Sequence, residues 1–156
     1  MKKLTLKKLN RFTNPADLRD FCRVPHQIGA FTYATNGHVI VRVDAAVLPA
    51  EVHPDAALSI KLERVLAKPS PDAVWRAVTP LDRADAVHHE VKSFKGKKEK
   101  VESFYTVLIG EAHIQLRYWN LIADLPGAEI AEVDNCFAPV PFRFTGGVGT
   151  VMPCKT

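Results

Sequence analysis

The feature that most constrains this chain is a β-hairpin between residues 28 and 43. Good strand formers lie on both sides of a short turn: Phe31, Tyr33, Val39, Val41 and Val43. The turn itself contains Asn36-Gly37, a pair that tolerates the positive φ angles of tight hairpin turns. The sequence therefore predicts antiparallel sheet near its start.

Further elements follow from periodicity and from capping residues. We predict a strand over residues 4–12 and a helix over 14–24, because Asn14 and Pro15 suit a helix start and Pro25 disfavours its continuation. A short helix is predicted over 58–66 and another over 117–125. The remaining predictions are strands at 74–78, 113–116, 129–133, 140–144 and 148–152, and a hairpin over 87–109. Strand, helix and further strands thus occur twice, and the fold class is α+β.

Composition indicates one folded domain. The chain has 156 residues, of which 47% are hydrophobic and 24% charged, so we predict a single domain over 1–156 with room for an insertion around 44–111. The three cysteines, Cys22, Cys136 and Cys154, are odd in number and widely spaced, which favours reduced thiols in a cytoplasm. An apolar run long enough to cross a membrane is not found, so we expect a cytoplasmic protein without a membrane partner.

The net charge of +4 is mildly basic. Two regions carry most of the excess, the N-terminus and the turn of the predicted 87–109 hairpin. The second region contains Lys92, Lys95, Lys97, Lys98 and Lys100. Residues this dense in like charge are expected to be solvated and mobile.

Candidate catalytic and metal-binding groups do not assemble into a site. His88 and His89 are adjacent on a predicted strand, where neighbouring side chains point to opposite faces. Cys22 and His26 resemble a nucleophile and base, but Cys22 falls among apolar positions and is interpreted as a core residue. The glycine-rich segment 145–149 lies between strands, whereas a phosphate loop precedes a helix. We therefore predict a protein that is not an enzyme and holds no cofactor or metal.

Two short segments resemble a known family. The segment ATNGHVI (residues 34–40) resembles the ATDGHRL segment of bacterial DNA sliding clamps, the β subunit of the replicative polymerase. The segment VMP (151–153), preceded by FRF (142–144), resembles the clamp C-terminus, and LRYWNLI (116–122) is similar to a clamp helix. The resemblance covers roughly 14–43 and 112–154. Asn36 replaces the usual acid and Val39 the usual arginine.

The resemblance implies a single DNA-clamp-like domain, of the kind that a phage or prophage encodes. Such a domain has two strand-helix-strands units, with a curved antiparallel sheet and two short helices on one face. A ring would need about six copies of the chain, because a clamp ring has six such domains. The function implied is that of a sliding-clamp-like, processivity-type module. Two alternatives stay open: a clamp-mimicking interaction or inhibitor protein acting without DNA, and an enzyme built on His38, His88 and His89.

The resemblance also implies two binding surfaces. The first is a groove for the clamp-binding peptide motifs of polymerases and other replication proteins, with walls formed by Thr35, Gly37, His38, Val39 and Ile40 and by Val151, Met152 and Pro153. The alternative is that Val39, Ile40, Val151 and Met152 are simply core positions of neighbouring strands. In clamps the two walls come from different domains, so the resemblance implies that here they meet only across a subunit contact.

The second surface is a helix face that contacts the backbone of double-stranded DNA without sequence preference, through Arg19, Arg23, Arg117 and Asn120. The alternative for these four residues is a solvated helix face.

Overall fold

The computed structural model describes residues 2–155, so both ends of the predicted 1–156 range lie outside it. The fold is α+β, as predicted. The helices are α1 (Leu6–Asn10), α2 (Leu58–Val65) and α3 (Leu116–Ala123). The first strands are β1 (His26–Ile28), β2 (Phe31–Thr35), β3 (Val39–Asp44), β4 (Glu51–Val52) and β5 (Trp75–Ala77). The others are β6 (Val87–Lys95), β7 (Lys98–Ile109), β8 (Ala112–Gln115), β9 (Glu129–Ala131), β10 (Val140–Phe144) and β11 (Gly147–Val151).

The strands form two sheets, one of which has a nearly symmetrical order. The larger sheet has eight strands in the order β4-β1-β2-β3-β11-β10-β9-β5, and the smaller one is β6-β7-β8. In the large sheet, two meanders (β1-β2-β3 and β9-β10-β11) meet where β3 pairs antiparallel with β11. Each meander follows a helix, α1 or α3. A helix followed by three strands of the sheet therefore occurs twice, but the predicted strand before the helix is present only in the second unit, and the first helix is not where it was predicted.

The predicted helix over 14–24 is wrong, and so is the predicted strand over 4–12. The Asn14 side chain accepts a hydrogen bond from the Ala16 N–H (3.1 Å), and Asp17 accepts one from the Arg19 N–H (2.9 Å). Such bonds to residues two positions ahead hold turns and compete with a helix. The segment contains a single turn of 3-10 helix at Asp20–Cys22.

Helix α1 forms upstream of that segment instead. Thr5 caps it by accepting a hydrogen bond from the Lys8 N–H (3.2 Å). Leu9 and Phe12, three residues apart, are both buried in the main core. The Lys8 ammonium donates to the Asp124 carbonyl (3.1 Å) just after α3, so α1 and α3 lie on the same face of the sheet.

The other elements largely match their predictions. The hairpins β2-β3 and β6-β7, the helices α2 and α3, and strands β5 and β8–β11 lie within one or two residues of the expected bounds at most ends. The short strands β1 and β4 were not predicted. Cys22 is fully buried, as expected of a core residue, although its segment is not a helix.

Alternate residues of the central strands enter two different cores. Val39, Val41 and Val43 of β3 face the main core with α1 and α3. Ile40 faces the other side, where α2 packs in a small core with Ile28, Tyr33, Leu58 and Leu62. The clamp resemblance implied helices on one face of the sheet. Helix α2 lies on the other face. Among residues 2–155 no helix has the length and apolar character needed to cross a membrane.

Candidate functional site

The two motif segments lie side by side in one chain. Val39 at the start of β3 pairs with Val151 at the end of β11. One residue further on, the Met152 N–H donates a hydrogen bond to the His38 carbonyl (2.8 Å). A subunit contact is therefore not needed to bring the segments together.

Next to this junction, an apolar groove of about 280 Å³ lies between the sheet and α2. Its sheet side is formed by Thr35, Ile40, Thr150 and Met152. Thr35 and Thr150 both pair with Ile40, and Met152 follows Thr150 by two residues, so all four share one face. Met152 stands at the mouth, with 39% of its surface exposed.

The opposite side of the groove comes from α2. Its contributors are Leu58, Lys61, Leu62 and Val65, spaced three or four residues apart as one helix face requires. The Thr150 hydroxyl accepts a hydrogen bond from the Ala67 N–H (2.8 Å), which ties the chain after α2 to β11. This wall lies within 44–111, the part of the chain outside the clamp resemblance.

A polar network fixes α2 on the sheet. The Glu63 carboxylate accepts hydrogen bonds from the Tyr33 hydroxyl (2.5 Å) and from the Arg42 guanidinium (2.7 and 2.9 Å). Burial by itself raises the pKa of Glu63, but these hydrogen bonds and the charge of Arg42 outweigh it and lower the pKa. The pKa of the Tyr33 hydroxyl is raised, mainly by burial and to a lesser extent by its hydrogen bond to Glu63.

The third side of the groove is the loop that carries Arg19 and Phe21. The Arg19 guanidinium makes two bonds of 3.0 Å with Asp17, and these bonds lower the pKa of Asp17 to about 2. Arg19 also lies against Gly37, where φ is +91° and an added Cβ would stand 2.6 Å from its Nη2 atom. The positive φ is the reason for glycine at this position, because the exposed Arg19 side chain could move away from an added Cβ at little cost.

The turn between β2 and β3 is held by its own side chains. The Asn36 carbonyl oxygen Oδ1 accepts hydrogen bonds from the N–H groups of His38 (2.9 Å) and Val39 (3.2 Å). The Asn36 amide donates to the Tyr118 hydroxyl (3.1 Å) on α3. Asn36 thus holds the turn at the position where the clamp segment has an acid. The next residue but one, His38, is exposed at the mouth of the groove.

Six of the eight predicted groove residues border this groove: Thr35, Gly37, His38, Val39, Ile40 and Met152. Within the described residues, Val151 and Pro153 are not among its lining. Val151 is fully buried in the main core, and Val39, which borders the groove, has its side chain in that core too. For these two valines the core interpretation holds, and Ile40 is likewise buried, in the small core under α2.

The predicted DNA-contacting residues do not share a helix face, because Arg19 and Arg23 lie in the loop that replaces the predicted helix. The Arg23 guanidinium donates to the carbonyls of Asp17 (2.6 Å) and Leu18 (3.0 Å). Asn120 exchanges hydrogen bonds with the backbone of Leu81 (2.9 and 3.1 Å). Arg117 bonds with Gln115 (3.0 Å) and with the Tyr118 hydroxyl (2.8 Å).

The histidines of the alternative enzyme hypothesis do not converge. His88 stacks on Tyr105 (ring centroids 5.0 Å apart) and His89 stacks on Phe104 (4.8 Å), on opposite faces of the β6-β7 hairpin. His38 lies at the groove. Within residues 2–155 no group of three or more His, Cys, Asp or Glu side chains is placed to hold a metal ion.

Sequence reasoning missed the α2 wall and Phe21. The helix itself was predicted, and the spacing of Leu58, Leu62 and Val65 already indicated an apolar face. What that face packs against depends on tertiary structure. Comparisons of the chain with protein-family models, with curated proteins and with solved structures gave no match.

Proposed function

We propose that this protein is a non-enzymatic, sliding-clamp-like module that binds short linear peptides in the groove beside β3 and β11. The observation that carries the proposal is the pairing of the two motif segments around an apolar, open groove. Met152, a flexible and polarizable side chain, stands exposed at its mouth, where such residues adapt to different apolar partners.

The groove has room for the side chains of a short peptide. Its volume of about 280 Å³ lies just below the range of about 300–1,000 Å³ that is typical of small-molecule sites. One or two Leu or Phe anchors suit this space. Burying two such side chains supplies roughly 3–6 kcal/mol, which corresponds to dissociation constants from about 6 mM to about 40 μM.

Charge at the rim favours an acidic residue next to the anchors. Lys61 is exposed on α2 beside the groove, and Arg19 lies across from it. Arg19 is already neutralised by Asp17, so Lys61 is the stronger attraction for a carboxylate.

Calorimetry with a synthetic probe tests the proposal. The probe is a short peptide with one Leu, one Phe and one Asp, and its control has alanine in place of both anchors. We expect the probe to bind and its control not to bind. Met152→Ala should weaken binding while leaving the melting temperature almost unchanged.

The exposed Phe137, 68% accessible and outside the groove lining, provides the matched control. Phe137→Ala removes an exposed apolar side chain elsewhere and should leave binding intact. Failure of the wild-type protein to bind the probe at millimolar concentration would refute the proposal.

A clamp-mimicking module that acts without DNA is the second candidate. It is favoured by the observation that the groove is complete within one chain. Sedimentation velocity separates the two candidates, since a ring requires about six copies, whereas a mimic acts as a monomer. A monomer at micromolar concentration that binds the probe supports the mimic.

A further inference from the structure

The outer part of the β6-β7 hairpin is a two-stranded arm that lies outside both cores. We define the arm as residues 90–103, all of which are exposed. Strand β8 pairs with β7 from Thr106 to Ile109, so beyond that point the hairpin has no third strand. The arm reaches about 20 Å beyond the three-stranded part of the small sheet, because it contains six residues of β6 and each adds about 3.3 Å.

The arm concentrates cations at its tip. Lys92 pairs with Glu99 (3.8 Å) and Lys100 with Glu102 (2.7 Å). The other three lysines, Lys95, Lys97 and Lys98, form no ion pair within the described part of the chain. Three adjacent, uncompensated ammonium groups make the tip the densest positive site of the hairpin.

An aromatic side chain stands beside these cations. Phe94 is 73% exposed and pairs across the hairpin with Glu99, next to the turn. An isolated two-stranded hairpin is marginally stable in water, and a phenyl ring this exposed buries little surface in the arm. Phe94 lies on the face opposite Lys95 and Lys98. Cations and a free aromatic ring on one ribbon suit a partner that presents both phosphates and apolar base edges, such as the thymine methyl group of the major groove.

We propose that the arm binds double-stranded DNA by entering a groove of the duplex. A two-stranded β-ribbon fits the major groove of B-form DNA, which is about 12 Å wide, whereas the deep major groove of duplex RNA is too narrow. Lys95 and Lys98 pair across the hairpin and share one face with Lys100, whereas Lys92 lies on the other face and Lys97 is in the turn. The uncompensated cations thus lie along one face and at the end of the ribbon, where they can contact the phosphates that border a groove.

This site is independent of the peptide groove and of the predicted arginine face. Its residues lie in the segment 44–111, for which the clamp resemblance has no counterpart. Phosphate contacts dominate such an interface, so binding is sequence-independent and falls steeply with salt. Three phosphate contacts predict a loss of affinity of about 40-fold between 50 and 200 mM salt.

Fluorescence anisotropy with a labelled 20-base-pair duplex of arbitrary sequence tests the proposal at several salt concentrations. The triple variant Lys95→Gln, Lys97→Gln, Lys98→Gln should lose most of the affinity and of the salt dependence. A matched variant, Lys3→Gln, Lys7→Gln, Lys68→Gln, removes the same charge from exposed positions outside the arm and should bind like the wild type. Phe94→Ala should weaken binding by less than the tip triple variant does, because it removes only an apolar contact with base edges, and Phe137→Ala should not weaken it.

Three results would overturn the proposal. The first is absence of duplex binding at 50 mM salt. The second is an equal loss in both triple variants, because binding would then follow net charge alone. The third is tighter, tip-dependent binding to duplex RNA or to phosphatidylserine vesicles than to DNA. Circular dichroism of each variant verifies that it is folded, which is expected because every substituted side chain is exposed.

Discussion

The two faces of the eight-stranded sheet are built in different ways although the same strands form both. One face is closed by α1, α3 and the base of the small sheet, and its side chains are almost all fully buried. The other face is covered by α2, a helix of eight residues, over a core of five buried side chains. Between α2 and the end of the sheet near Met152, apolar surface is left open, and this is the groove.

The forces that hold the two faces differ as well. The main core relies on apolar burial, for which the free energy scales with the area removed from water. The α2 face combines its small apolar core with hydrogen bonds from Glu63 to Tyr33 and Arg42. We therefore expect the α2 face to be less stable and more sensitive to pH. A binding surface belongs on such a face, because the side chains around it must accommodate a partner.

The largest expected effect compares one core residue from each face. Phe142→Ala in the main core should lower the free energy of unfolding by about 3–5 kcal/mol. Leu62→Ala under α2 should cost about 2 kcal/mol, the low end for a buried leucine, because the space it leaves opens into the groove. Urea denaturation measures both. Equal losses would show that the two faces are equally well packed.

The next prediction compares Val151 and Met152, which are neighbours at the end of β11. Val151→Ala should cost about 2 kcal/mol of unfolding free energy, since its side chain is fully buried in the main core. Met152→Ala should change the stability by less than about 0.5 kcal/mol. If Met152→Ala proves as costly as Val151→Ala, then Met152 is a core residue and cannot be the flexible side chain that contacts a peptide at the mouth of the groove.

A smaller effect concerns pH and Glu63. Because the folded-state pKa of Glu63 is lowered, its stabilising contribution is present above the unfolded-state pKa and is lost as pH falls through the folded-state value. Glu63 is partly exposed, so the contribution is below about 1 kcal/mol. We expect Glu63→Gln to be less stable than the wild type at pH 7. The difference should shrink on acidification toward pH 3, as thermal denaturation would record, and a constant difference would contradict this assignment.

The smallest effect concerns the charge of Lys61 at the rim of the groove. Lys61→Gln should weaken binding of the acidic peptide probe by about two- to fivefold, as expected of an exposed ion pair. It should not alter binding of a peptide in which Asn replaces the Asp. Calorimetry at 50 and 300 mM salt measures both peptides. A loss that is the same for the two peptides would mean that Lys61 acts through its aliphatic stem.

Much of the fold followed from local signals. The hairpins β2-β3 and β6-β7 have glycine at their turns, with positive φ at Gly37 and Gly96, and strand-forming residues on both sides of the turn. The spacing of apolar residues in the α2 and α3 segments likewise predicted two helices. The 14–24 segment has capping residues that serve a helix and a turn equally well. Asn14 and Asp17 bond to nearby N–H groups in either case, so their presence did not decide between the two.

The sequence by itself determined the α+β class, most of the strands, two of the helices and the residues at the junction of β3 and β11. Tertiary structure decided which of those residues are open to solvent. Val151 and Met152 are adjacent, and the pairing of β11 with β3, more than 100 positions away in the chain, sends one into the core and the other to the groove. The second wall of the groove depends on where α2 docks, which is set by contacts with strands distant in sequence. Local periodicity reports the faces of an element, whereas burial depends on what covers each face.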